Sequence, residues 1–264
     1  MSYQTVEASA IDHSAGVEIA DHAHERGQLS VVLRGTLAVT SAKGWWLTPP
    51  GLAIWIPPNV SHGARYSELS SLLHLRLENR LAADLPGYCD LIVVTDLLRE
   101  LAREAVRIDG LSEHADASEL IAELMVMQLR RPQRGPGLFV PHGQDRRLRH
   151  AITYLRSAPG VNVTIDELAT RVHTSARTLA RLFVTETGMP FGRWREHLRI
   201  VCAVDRLARG QSITQTALEL GYQSTSGFTT LFTRLLGVPP RRYMVQLLAR
   251  DKKRPQEHLD LAAK

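Results

Sequence analysis

The sequence predicts an α+β chain whose first half is a small antiparallel β-barrel followed by two helices and whose second half is entirely helical. Three observations predict it. Between about residues 17 and 79, short alternating runs (VEIADHAH, QLSVVLRGTLAVT, GWWLTPPG, LAIWIPP, SSLLHLRLE) are broken by Gly and Pro, the pattern of a β-meander. From about 88 to 131 the apolar period lengthens to that of a helix: Leu91, Val94, Leu98, Leu101, Ala105 and Ile108 share one face, and Leu120, Leu124, Met127 and Leu129 recur further on. After Asp145 the helical period continues, and a two-helix unit there occurs twice.

These segments divide the 264 residues into 1–131, a linker at 132–144, a helical region at 145–250 and a charged tail at 251–264. The stretch 131–144 (RPQRGPGLFVPHGQ) is rich enough in Pro and Gly that neither helix nor strand is expected to run through it. An apolar content of 44% with 22% charged residues excludes a disordered or fibrous chain. The start MSYQTVEASAIDHS lacks a basic-then-apolar leader and no run is long enough to span a bilayer, so no membrane partner and a cytoplasmic location are expected. Cys89 and Cys202 are too far apart in sequence for metal-type spacing and read as apolar thiols.

Charge separates the halves. Residues 1–144 carry 12 Lys and Arg against 17 Asp and Glu, whereas 145–264 carry 20 against 10. A basic module attached to an acidic one is what polyanion binding by one half produces, because phosphate contacts dominate nucleic-acid affinity.

The duplication is the most specific feature. Ile165, Ala169 and Val172 match Ile213, Ala217 and Leu220 at an offset of 48, and Leu179, Phe183, Gly188 and Pro190 match Phe228, Phe232, Gly237 and Pro239 at an offset of 49. Each copy reads as a capped helix starting at Thr164 or Ser212, a break at His173-Thr174 or Gly221-Tyr222, and a second helix opened by Ser175 or Ser224, which is the helix-turn-helix layout. Between them Pro190 to about Ala208 forms one helix, roughly 28 Å long at about 1.5 Å per residue. Adjacent major-groove faces lie about 34 Å apart, so such a spacer suits two units on one side of a duplex.

The run IxxxALELGYxSxSGFxxLFxRLLGVPPRRYM (Ile213 to Met244) closely resembles the signature of the AraC/XylS family of transcription regulators, over about 145–245 and more loosely in the first half. The resemblance implies an effector-responsive regulator of double-stranded DNA that forms homodimers through the helices at 88–131 and meets RNA polymerase; the alternative for those helices is that they only cap the barrel. Helical spacing and the resemblance together give the DNA-contacting set. In the first unit Leu179, Leu182 and Phe183 face the core, leaving Ser175, Arg177, Ala180 and Arg181 outward, with Arg177 and Arg181 one turn apart as base readers. In the second, Phe228, Leu231 and Phe232 face inward and Ser224, Thr225, Ser226, Thr229 and Thr230 outward. Those short hydroxyls suit phosphate, water-mediated and thymine-methyl contacts. Arg241 and Arg242 read as backbone clamps.

In the first half, Gly16-x5-His22-x-His24-x3-Gln28-x6-Gly35 and Gly51-x5-Pro57-x-Asn59-x2-His62 resemble the two motifs of the cupin β-barrel, with Gln28 in place of the usual Glu, Asn59 in place of a turn Gly and Tyr66 in place of an Asn. His22, His24, Gln28 and His62 are thus candidate ligands for a divalent transition metal, Zn, Ni or Fe. Two other readings stay open: a small organic effector, or a vestigial pocket whose imidazoles only hydrogen-bond. No catalytic residue is assigned; the alternative of a metal-dependent cupin enzyme fused to a DNA-binding module would need a firmly held metal with an open position. Trp45, Trp46 and Trp55 read as core or rim. His74 and Arg76 share a strand face that the sequence does not assign to inside or outside.

Overall fold

The computed structural model describes residues 5–109, 111, 114–131 and 137–245. The first half contains β1 (Val6–His13), β2 (Glu18–His22), β3 (Gly27–Arg34), β4 (Leu37–Ser41), β5 (Gly44–Thr48), β6 (Leu52–Ile56), β7 (His62–Tyr66) and β8 (Ser70–Leu77), then α1 (Asn79–Ala82), β9 (Asp90–Val93), α2 (Asp96–Ile108) and α3 (Ala115–Leu129). With β10 (Phe139–Pro141) the strands form two five-stranded antiparallel sheets, ordered β1-β8-β3-β6-β9 and β10-β5-β4-β7-β2. The expected small β-barrel takes the form of two facing sheets that do not close on one another.

Period-two alternation sorts the side chains as a pleat requires. Along β8, Leu73, Leu75 and Leu77 pack under α2 and α3, while Leu72 faces the other sheet and His74 and Arg76 line a cavity between the sheets. Trp45, Trp46 and Trp55 are all buried. Two expectations for 88–131 change. Leu91 lies in β9, paired with Ile54 of β6, because a short apolar run rich in β-branched residues fits a strand as well as a helix, and α2 starts only at Asp96, where the Thr95 hydroxyl accepts from Leu98 N at 3.1 Å. In α3 the buried face is Ile121, Ala122, Met125, Val126 and Leu129, whereas Leu120, Leu124 and Met127 are 61%, 42% and 55% exposed.

The segment expected to be structureless holds β10. Phe139, Val140 and Pro141 pair with Trp46, Trp45 and Gly44 of β5 at a sheet edge, where a Pro without an N–H is tolerated. Gly44 is required opposite: a methyl there would run into the Phe139 ring and the Val140 carbonyl. Leu138 and Val140 are fully buried, and one apolar cluster runs through them from the sheets into the helical half.

That half comprises α4 (Arg146–Ser157), α5 (Ile165–Arg171), α6 (Ala176–Thr187), α7 (Phe191–Ala208), α8 (Ile213–Glu219) and α9 (Thr225–Leu236), with residues 240–245 helical at its end. The charged tail at 251–264 lies outside the described residues. Thr164 and Glu167 form the expected capping box, and Ser175, Ser212 and Ser224 each accept from the backbone N–H three residues on. Gly188 and Gly237 end α6 and α9 in the left-handed conformation. The turn of the second unit needs Gly221, at φ +76°, since a side chain there would strike the Gly160 carbonyl; the first unit places His173 in the same conformation, at φ +54°.

Gly221→Ala is expected to destabilise the full chain by about 1–3 kcal/mol, seen as a lower urea midpoint. Gly192→Ala, on the exposed side of α7 with open space around it, is expected to leave the midpoint unchanged or raise it; equal losses at both positions would contradict this packing.

Candidate nucleic-acid interface and ligand cavity

The periodicity of α6 buries Leu179, Leu182 and Phe183, against Trp194 and Phe191 of α7. The opposite face is thereby presented to solvent: Ser175, Arg177 and Arg181 are exposed and Ala180 half-buried. Neither Arg177 nor Arg181 has a side-chain partner among the described residues, so both guanidinium groups keep their donors for an outside acceptor. In α9, Phe228, Leu231 and Phe232 are buried; Ser224, Thr225, Ser226 and Thr230 are exposed and Thr229 half-buried. Arg241 and Arg242 are exposed just beyond.

The two units are held apart by α7, 18 residues and about 27 Å long. Its Trp194, Leu198, Val201 and Leu207 are buried, each contributing about 1.5–3 kcal/mol through burial. Sequence spacing gave no hint of Arg199, which is only 7% exposed. Its Nε donates to the Pro159 carbonyl at 2.9 Å and its Nη2 to the Val161 carbonyl at 3.2 Å, and the guanidinium lies 5.7 Å from the Tyr222 ring. One side chain thus ties the loop before the first unit to the turn of the second.

Between the sheets lies a cavity of about 450 Å³. Ile11, Leu37, Val39 and Ile56 make its apolar wall, and Gln28, Ser30, His74 and Arg76 bring polar groups into it. His22 and His62 line it, and with His24 their ring nitrogens fall within 4.8 Å of one another. The backbone sets the tautomer of each: Nδ1 of His22, His24 and His62 donates to the carbonyls of Ala20, Arg26 and Val60 at 3.0, 2.6 and 2.9 Å. A ring that donates through Nδ1 keeps its lone pair on Nε2, the arrangement found when histidine ligates a metal. Burial lowers the pKa of His24 and of His62 below 6.5, so both are neutral at pH 7. The donor set therefore fits a first-row divalent ion. Gln28 lies in the same cavity with its amide nitrogen donated to Ser30 at 3.0 Å. Asn59, standing at a turn position, adopts φ +59°, which Asn tolerates better than most residues.

Two further cavity residues, His13 and His74, carry no signal in the sequence that places them here. His13 stacks on the buried Tyr66 at 3.9 Å, and His74 accepts or donates at Ser30 Oγ, 3.1 Å away, while its Nε2 is buried without a partner. Burial brings the pKa of His74 to about 4, so it is neutral there. Both thiols are unpaired, and burial pushes Cys89 up to about 11 and Cys202 to about 12.

A cavity-bearing pair of sheets fused to two helix-turn-helix units defines a ligand-binding transcription regulator. The family model described as "AraC-like ligand binding domain" matches residues 7–129, and that described as "Helix-turn-helix domain" matches 168–246. The HTH-type transcriptional regulator NimR of Escherichia coli (strain K12) is 30% identical over 227 residues, covering 86% of this chain and 82% of that protein. The HTH-type transcriptional regulator RipA of Corynebacterium glutamicum is 35% identical over 103 residues, 39% of this chain and 31% of that one. Among solved structures, unsaturated fatty acid bound ToxT from Vibrio cholerae is similar over 92% of this chain and 96% of that one, at 14% identity and a TM-score of 0.40. The chain belongs to the AraC family of transcription regulators, and the reading as a cupin enzyme falls away. Among the described residues no helix is long and apolar enough to cross a membrane.

Proposed function

We propose that the chain is a cytoplasmic, sequence-specific DNA-binding regulator whose inter-sheet cavity takes a small effector, with Arg177 and Arg181 reading bases. The observation that carries this is the pair of capped helices α6 and α9, their outward faces free and their separation fixed by a buried spacer close to one turn of the duplex. Ser175, Ala180, Ser224, Thr225, Ser226, Thr229 and Thr230 complete the contact surface, and Arg241 and Arg242 hold phosphates. An effector acts only through unequal affinity for two arrangements of the protein. Leu37, Val39, Ala64 and Tyr66 line the cavity from β4 and β7, and the same sheet continues through β5 to β10 and so to α7. A shift of that sheet would alter how α7 presents both units to DNA or to RNA polymerase.

The Nδ1 hydrogen bonds favour one further reading: His22, His24 and His62 hold a divalent Zn, Ni or Fe ion, with Gln28 beside them. Such an ion supplies a Lewis-acidic point at the cavity wall for an effector's oxygen or nitrogen. The exposed stripe Leu120, Leu124 and Met127 on α3 suits a second copy of the chain.

Arg177→Ala or Arg181→Ala is expected to cost about 1–3 kcal/mol of discrimination between specific and random duplex, whereas Arg241→Ala weakens both alike and lowers the salt slope by about one. Anisotropy titrations over a salt series measure this; identical behaviour of the two classes would reject the assignment. Calorimetric titration of the full chain with Zn²⁺ or Ni²⁺ is expected to show one site, lost in His24→Ala. Because protons compete for the Nε2 lone pairs and burial lowers the folded pKa of His24 and His62, affinity should hold as pH falls through neutrality and be lost only as it drops through those lowered values; absence of saturable binding at pH 7.5 would exclude the metal. Sedimentation equilibrium should show dimers for the native chain and monomers for Leu124→Glu, and a native monomer at tens of micromolar would remove the dimer.

A further inference from the structure

A second, more open cleft of about 910 Å³ lies where the halves meet, walled by β2, β4, β5 and β7 on one side and by α4 and α7 on the other. Four arginines line it. Arg206 pairs with Glu219 at 2.5 Å and Arg209 with Asp205 at 3.0 Å. Arg65, from β7, and Arg156, from α4, have no carboxylate within ion-pair distance among the described residues. Glu18, directly opposite Arg65 in the β2–β7 register, and Asp21 also line the cleft from edge strand β2, both exposed and neither within ion-pair distance of Arg65 or Arg156.

Arg156 is fixed in place. Its guanidinium lies 5.1 Å over the Trp45 ring, and Nη1 donates to His142 Nε2 at 3.1 Å. His142 is neutral and free to accept that bond, since burial and the neighbouring Arg156 bring its pKa to about 4. Burial, and then the charge of Arg65, weakens the hold of Arg156 on its own proton. Ser67, in the same wall, has a buried Oγ without a hydrogen-bond partner. Two like charges from opposite halves, one of them half-buried and held in place, form an arrangement that an anion between them stabilises.

We propose that this cleft binds a small oxyanion, the carboxylate or phosphoryl group of a metabolite, held jointly by Arg65 and Arg156 and so bridging the β half to the helical half. The Trp45, Ala38 and Leu198 side chains offer an apolar wall for the rest of the ligand. Ile19, Ala64 and Tyr66 line both this cleft and the inter-sheet cavity, so an occupant of one is felt at the other. The inference is independent of which residues read DNA.

The test is calorimetric titration of the full chain, free of DNA, with inorganic phosphate and separately with benzoate, each against chloride at equal ionic strength. Saturable binding of either probe is expected, with a Kd on the order of 1 mM or tighter, weakened about tenfold or more in Arg65→Gln and in Arg156→Gln. Binding of phosphate alone assigns a phosphoryl ligand, and of benzoate alone a carboxylate. Arg65 is exposed, so Arg65→Gln decides even if Arg156→Gln fails to fold. No saturable binding of either probe, or equal binding by Arg65→Gln, overturns the proposal.

Discussion

The structure depends most on the three residues of β10. They are the edge of a sheet in one half and, through their carbonyls, part of the surroundings of α7 in the other: Trp194 Nε1 donates to Pro141 at 3.0 Å and His197 Nε2 to Phe139 at 2.7 Å. Buried backbone carbonyls must find donors, and here they find them across the boundary between the halves. A tether would have left the helical half free to tumble. A strand bonded on both sides makes the spacer helix of the DNA-binding half a neighbour of the effector-binding sheet, and Thr36, which donates to the buried Asp205 of α7 at 3.1 Å, adds a third tie.

How much of this was legible in the sequence follows from the range of the interactions involved. The duplicated units were readable because caps, turns and a 3.6-residue apolar period are local: Thr164, Ser175, Ser212 and Ser224 cap as their spacing requires, and the inward sets of α6 and α9 are as expected. β10 was not readable, since Gly135, Pro136 and Gly137 dominate local propensity there and only a partner strand remote in sequence, with Gly44 leaving room, decides that Phe139–Pro141 extends. β9 failed for a related reason: Leu91 and Val94 fit the helical period of α2 by coincidence, and pairing with β6 overrides it. The resemblance to the cupin motifs grouped His22, His24 and His62, but it does not say that His13 and His74 meet the same cavity from β1 and β8.

The boundary contacts also limit what kind of motion can couple the halves. Each of these three hydrogen bonds contributes about 0.5–1.5 kcal/mol net, so exchanging one or two of them falls within the 1–3 kcal/mol of a usual allosteric coupling. Full separation is another matter. It would expose Leu138 and Val140, at about 1.5–3 kcal/mol each, and break the cluster that continues through Leu148, Leu155, Trp194 and Leu198. An effector of the kind proposed would therefore leave the halves docked and act by shifting α7 against β10. A displacement of that kind carries α6 and α9 together, because Arg199 clamps the loop at 159–161 against the turn of the second unit. On that reading an effector would reorient α6 and α9 as a pair on the DNA, with their spacing still set by α7.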